Sequence, residues 1–187
     1  MAATETALVV RAQRGDQGAF TELVARHHTR LIAAARALVG HGDAAEDVSQ
    51  DAFVEAYRGL PRLQRPDRFG AWLFGIMRHK ALNHLRSAGR EVPLSWAADQ
   101  ADPAPAQPAA DPSLDLRQRL RELPERDREI LAARYLQELS YDEIAETLGV
   151  SVNTVRVRCF RAKQRLRVLL RGADEPEGCA TAQEGGR

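Results

Sequence analysis

Between Leu139 and Arg171 the chain reads LSYDEIAETLGVSVNTVRVRCFRAKQRLRVLLR, and one glycine in it restricts the fold more than any other residue. Gly149 falls where the apolar repeat Ile144, Ala145, Leu148 stops. A helix turns there through a left-handed residue, which glycine adopts at little cost. Ser140 precedes the repeat with Glu143 three residues on, the spacing of a capping box. Ser151 follows as the cap of a second helix, along which Val155, Cys159, Ala162, Leu166 and Leu169 keep the 3–4 spacing of a buried stripe. Small Ala145 suits the point where the two helices cross. Two helices joined by a tight turn are therefore expected.

The rest of the second helix is one-sided in charge. Arg156, Arg158, Arg161, Lys163, Arg165, Arg167 and Arg171 are basic, and no Asp or Glu occurs from Ser151 to Arg171. Packing does not require such an excess, and like charges on one helix repel. A duplex nucleic acid relieves it, because each neutralised phosphate releases condensed counterions. Asn153 and Thr154 at the helix start can reach base edges or phosphates. This is the layout of a helix-turn-helix with a recognition helix for the major groove. The bland alternative is a solvated basic helix closing a helical domain.

Net charge is only +1 across 187 residues, so no global field drives the chain onto a polyanion and the basic residues act by local placement. The two cysteines, Cys159 and Cys179, have no zinc-type spacing. A disulfide framework is not expected, and a reducing cytoplasm fits. No metal or cofactor is expected either. The N-terminus lacks the basic-then-apolar layout of a signal peptide, and no apolar run approaches the ~20 residues of a membrane span.

Taken in order, residues 1–15 read as a flexible start. Asp16 can cap a helix whose Phe20, Leu23, Val24, His27, Leu31 and Leu38 lie near one face. Gly40-His41-Gly42 breaks it. Asp43, paired with Glu46 at capping-box spacing, opens a helix with an apolar side (Val48, Ala52, Phe53, Ala56, Leu60) and an acidic one (Glu46, Asp47, Asp51, Glu55), ended by Pro61. A third helix runs from Arg68 to about Ala88. It is apolar on two sides, through Phe69, Trp72, Leu73 and Ile76 and through Phe74, Met77, Ala81 and Leu85. Its remaining positions hold Arg78, His79, Lys80, Asn83, His84 and Arg86. Cations interleaved with aromatics suit single-stranded nucleic acid, which needs phosphate neutralisation and stacking surfaces.

Beyond it, Ser87–Ser113 is rich in Ala, Pro, Asp and Gly and has no periodicity, as in a linker; Trp96 is its one anomaly. Short helices follow around Leu116, Leu120 and Leu123 and, after Pro124, around Ile130, Leu131, Tyr135 and Leu136. No strand-like alternation occurs. The expected fold is all-α: two small helical domains joined by a flexible Pro/Ala-rich linker, the second carrying the helix-turn-helix. The divisions are 1–15 flexible, 16–90 first domain, 91–112 linker, 113–171 second domain, and 172–187 a disordered acidic tail.

The phrases GDAAEDVSQDAFVEAYRGLPRL, RFGAWLFGIMRHKALNHLR and LPERDREILAARYLQELSYDEIAETLGVSVNTVRVRCFRAKQRLR, in this order, resemble the bacterial RNA polymerase sigma factors of the extracytoplasmic-function class. The resemblance covers most of residues 16–90 and 113–171. It implies a chain that binds core RNA polymerase and directs promoter-specific initiation, with sigma region 2 first and region 4 second. Region 2 would bind the polymerase and melt the −10 element; region 4 would read the −35 element as duplex. The acidic helix would dock on the polymerase through Asp47, Gln50, Asp51 and Glu55, a surface that selects a basic protein face and repels DNA. The aromatic-basic helix would hold the melted −10 strand through Arg78, His79, Lys80, Asn83 and Arg86.

At His79 the family often has Asn; an imidazole cannot make the paired contact of an amide. The −35 surface would comprise Ser151, Asn153, Thr154, Arg156, Val157, Phe160, Arg161 and Lys163. Val157 replaces a residue that is frequently small and polar, so its contact would be apolar, as to a thymine methyl. The resemblance also implies an anti-sigma partner.

Promoter elements about one and a half turns apart lie roughly 50–60 Å apart on a ~34–36 Å pitch. A flexible linker of this length spans about 30 Å r.m.s. and at most about 85 Å fully extended. It reaches only when stretched, so threading along the polymerase is expected.

Two rival functions are weaker. A homodimeric helix-turn-helix regulator leaves the acidic helix and the second basic site unexplained. A metal or hydrolytic enzyme would have to use His27, His28, His79 and His84, which form no HExxH, and no phosphate loop or nucleophile elbow is present. No catalytic residue is assigned. Cys159, on the buried stripe, reads as packing rather than as a redox sensor.

Overall fold

The structure is a computed structural model that describes residues 3–40, 42–89 and 116–171. Among them the order is α1 (Glu5–Gln13), α2 (Gln17–Val39), α3 (Gly42–Gly59), α4 (Phe69–Ser87), α5 (Leu116–Glu122), α6 (Glu125–Leu131), α7 (Tyr141–Leu148) and α8 (Val152–Arg171), with no strand. The linker with Trp96 and the C-terminal tail with Cys179 lie outside the described residues. No helix among those described is long and apolar enough to cross a membrane.

Helices α1–α4 form the first unit. The Asp16 carboxylate accepts from Ala19 N at 3.0 Å and starts α2; Gly40, at φ 84°, ends it. Leu23, Leu31, Ala34 and Ala35 are fully buried where α2 meets its neighbours. On α4 Phe69, Leu73, Phe74, Met77 and Ala81 are buried, with Trp72 and Ile76 packed at the margin. The expectation of two apolar sides thus holds, because α4 lies between α2 and α3 on one flank and α7 on another.

Two details differ from expectation. Residues 1–15 are not simply a loose start: Thr4 Oγ1 accepts from Ala7 N, and α1 buries Leu8 and Val9 completely. Its two buried residues are adjacent, so they produce no visible period. Asp43 is not a cap. Helix α3 already includes Gly42, which places Asp43 inside the first turn, where its charge still complements the helix dipole.

Helices α5–α8 form the second unit. A π-type turn, Ala132–Leu136, continues α6. Glu138, just beyond it, has φ 57°, a conformation disfavoured for a residue with a Cβ. Buried residues of both units, from Leu8 to Leu169, belong to one contiguous apolar cluster. In this conformation the two units are packed against each other, with α2 touching α6 and the π-type turn, and α4 touching α7.

Candidate nucleic-acid interface

The helix-turn-helix is built as its caps require. Ser140 Oγ accepts from Glu143 N at 3.2 Å, while Ser140 N donates to Glu143 Oε2 at 2.8 Å, closing the reciprocal box. Burial acts to raise the Glu143 pKa. Hydrogen bonds from Ser140 and the guanidinium of Arg68 outweigh it, and the carboxyl lies below its ordinary value. Gly149, at φ 69°, makes the turn. Ser151 Oγ then accepts from Thr154 N at 3.1 Å and lies 2.8 Å from Thr154 Oγ1. These two hydroxyls therefore serve the cap, and Asn153 is the exposed amide at the helix start.

Val155, Cys159, Ala162 and Leu169 face inward. Burial raises the Cys159 thiol above its ordinary value, which disfavours the reactive thiolate. On the outer side Arg156, Val157, Phe160, Arg161 and Lys163 are exposed. Phe160 is 64% accessible and Val157 41%, unusual for large apolar side chains. The Arg156 guanidinium sits 5.9 Å from the Tyr141 ring centroid, and Arg134 lies 5.1 Å from the same ring. Sequence reasoning missed this pairing of Arg134 and Tyr141 with the recognition helix; Tyr141 as the first residue of α7 is the signal that could have found it.

The basic face is narrower than the sequence suggests. Arg158 is buried, and Arg165 donates to Asp127 at 2.6 Å. The helix lacks acids of its own, but α6 supplies one from 38 residues away.

On α4 the expected cationic residues divide three ways. His79 and Asn83 are exposed, with the half-buried Arg86 beside them: Asn83 Nδ2 lies 3.0 Å from His79 Nε2, and Arg86 Nη1 donates to Asn83 Oδ1 at 3.3 Å. Arg86 Nη2 is buried with no hydrogen-bond partner. Lys80 instead turns to α3, with Nζ 2.5 Å from Glu55 Oε2, and that hydrogen bond holds the Glu55 carboxyl below its ordinary pKa. Arg78 turns to the second unit and pairs with Glu129 of α6. Its side chain is only 13% exposed; burial, helped by repulsion from Arg86, lowers its pKa to about 10.

The acidic residues of α3 are brought together. Asp47, Gln50, Asp51 and Glu55 are all exposed along one side. Beside them Val54 is 50% and Tyr57 49% accessible. These were not singled out in the sequence, where a lone valine and a lone tyrosine carry no periodic signal.

Comparison with known proteins agrees with this arrangement. The pattern of Sigma-70 region 2 matches residues 23–91, and that of Sigma-70 region 4 matches residues 113–166. The chain is 34% identical over 173 residues to the RNA polymerase sigma-H factor of Pseudomonas aeruginosa, covering 85% of this chain and 90% of that protein. It is 35% identical over 177 residues to the ECF RNA polymerase sigma-E factor of Escherichia coli, covering 87% and 92%. Among solved structures it superposes on CnrH in complex with the cytosolic domain of CnrY (TM-score 0.67, 30% identity, 89% of this chain and 97% of that one). It also superposes on the sigma factor RpoE in complex with the anti-sigma factor NepR from Bartonella quintana (TM-score 0.64, 28% identity, 81% and 96%). With both sigma-70 regions present in order and relatives matched over nearly their whole length, the chain belongs to the extracytoplasmic-function sigma factors, which bind core RNA polymerase and direct promoter-specific transcription initiation.

Proposed function

We propose the following division of labour. The α3 face of Asp47, Gln50, Asp51 and Glu55, with Val54 and Tyr57 beside it, docks on a basic surface of core polymerase. The α4 face of His79, Asn83 and Arg86, joined by Arg78 and Lys80 once their acidic partners are displaced, holds the opened −10 strand. The α8 face of Asn153, Arg156, Val157, Phe160, Arg161 and Lys163 reads the −35 duplex, with Ser151 and Thr154 supporting the helix start. The observation that carries this reading is the outward face of α8, where arginines flank an exposed Phe160 and Val157. Cations meet phosphates and guanine edges while the apolar pair meets thymine methyls.

An anti-sigma protein is the regulatory partner we infer, since CnrH and RpoE were solved with CnrY and NepR. The chain acts in the cytoplasm and by binding rather than by catalysis.

Footprinting of the open complex with core polymerase tests the assignment. Arg156→Ala or Arg161→Ala should weaken upstream duplex protection, each bidentate contact contributing ~1–3 kcal/mol of base discrimination. Arg78→Ala with Lys80→Ala should leave that protection and abolish permanganate reactivity of the melted strand. Loss of both signals in both variants would refute the division. A homodimeric regulator would instead shift a palindromic duplex without polymerase.

A further inference from the structure

Helix α1 has no part in the three faces assigned above, yet it holds the segment that joins two of them. Leu60–Arg68 connects α3, which carries the acidic face, to α4, which carries the strand face. Its two single turns, Leu60–Arg62 and Pro66–Arg68, both pack against α1. Gln13, the last residue of α1, is half-buried there. Its Nε2 donates to Leu60 O at 3.0 Å and to Leu63 O at 2.8 Å. A primary amide nitrogen has two hydrogens, and both are used. The two carbonyls bracket the first turn, in which Leu63 N donates to Leu60 O at 3.1 Å. Pro61 and Pro66 have no N–H with which to brace the segment themselves.

The other end of α1 is fixed as well. Arg26 Nη2 donates to Ala3 O at 2.9 Å, and Glu5 Oε2 lies 2.9 Å from Nε2 of the buried His27. The His27 ring packs edge-on against Phe69, with centroids 5.2 Å apart, where the segment enters α4. Leu8 and Val9 are fully buried between these ties. Helix α1 is therefore a splint along the segment, and the Gln13 amide is its bond to the backbone of the first turn.

What the segment carries makes its position matter. Arg62, Arg65 and Arg68 line a cleft of about 570 Å³, together with Trp72 and Ile76 of α4 and Thr147 across the seam between the units. Ile76 stands one helical turn before His79 and Lys80, so along the helix this cleft adjoins the α4 face. Gly59, just before the first turn, packs on the Trp72 indole, and an added Cβ there would stand 3.1 Å from Cζ2. A shift of the turn is thus felt at Trp72, on the helix that holds the strand.

We propose that Gln13 is a positioning residue for strand opening: its amide fixes the Leu60–Leu63 turn, and with it the placement of Arg62, Arg65 and Arg68 beside the strand that α4 holds. This rests on the assignment of the α4 face to the opened strand. Gln13 itself contacts no nucleotide. Without its two bonds α1 still packs through Leu8 and Val9, and α3 still presents its acidic face. The turn then moves independently of α1, and the cost of ordering it shifts from folding to the moment of strand capture. The loss falls on opening rather than on docking.

Core polymerase with the full chain, on a promoter that gives run-off initiation, separates these steps. Gln13→Glu keeps the side chain's length and loses both donors; Gln13→Ala removes the amide altogether. Both should leave affinity for core polymerase and upstream −35 protection at wild-type levels. Both should slow the appearance of permanganate reactivity about tenfold, the order that two neutral hydrogen bonds supply. In the free chain with Trp96→Phe, where Trp72 is the remaining indole, both should shift its emission. Val39→Ala, in the core at the C-terminal end of α2, is the comparison for lost stability alone. Matched by melting temperature, it should open the strand at the wild-type rate and leave the emission in place. Wild-type opening by the Gln13 variants, or an unmoved Trp72 emission, overturns the proposal. So does core affinity that falls by the same factor, or equal slowing in Val39→Ala, because the amide would then serve only the fold. Normal opening by Arg78→Ala with Lys80→Ala removes the α4 reading and this inference with it. Slow opening there, with normal opening in Gln13→Glu, removes this inference alone.

Discussion

Glu143 shows how much can rest on one side chain. It completes the capping box of α7 and pairs across the seam with Arg68. Its folded pKa lies below the ordinary 4.5. The charge therefore contributes stability that is fully present above that ordinary value and disappears as pH falls through the lowered folded one. Glutamine can keep the cap but not the charge. Glu143→Gln should lower the melting temperature at pH 7, and the gap from wild type should close in acid; a gap constant with pH would contradict the assignment. Phe160 is the opposite case. Because it is 64% exposed, Phe160→Ala should change folding stability by no more than about 0.5 kcal/mol while reducing −35 duplex affinity. A large loss in urea stability would mean that the ring is structural.

At the scale of the helix, α7, α8 and their turn were legible in the sequence because each signal is local. Ser140, Glu143, Gly149 and Ser151 act within a few residues of themselves, and the apolar stripe repeats with the helix. Gly149→Ala tests this: with open space around the position, the penalty should be the left-handed backbone cost alone, about 1–2 kcal/mol. The inward turn of Arg165 was not legible, since its partner Asp127 is 38 residues away and on another helix. For α4 the double apolar face was readable, and Leu73, fully buried, supports it. Leu73→Ala should cost about 2–5 kcal/mol in chemical denaturation. What the sequence could not reveal on α4 was where each cation points. Arg78, His79 and Lys80 are consecutive, yet they turn to α6, to solvent and Asn83, and to α3 respectively.

For the whole molecule, order and composition indicated two helical units and a linker, and the pairing between the units lay beyond reach. Arg78 and Glu129 are 51 residues apart, Arg30 and Glu138 are 108, and nothing local marks them as partners. Duplex binding by α8 should fall with salt, and Lys163→Ala should reduce the slope of log affinity against log salt by about 0.9. An unchanged slope would remove Lys163 from the phosphate contacts.

The most direct test of the account is run-off transcription by purified core RNA polymerase on a promoter library, with and without this chain. Initiation from a defined subset of promoters only when the chain is present, lost after Arg78→Ala with Lys80→Ala and weakened after Arg156→Ala, is the expected result. A core polymerase that neither binds the chain nor initiates in its presence would contradict the account.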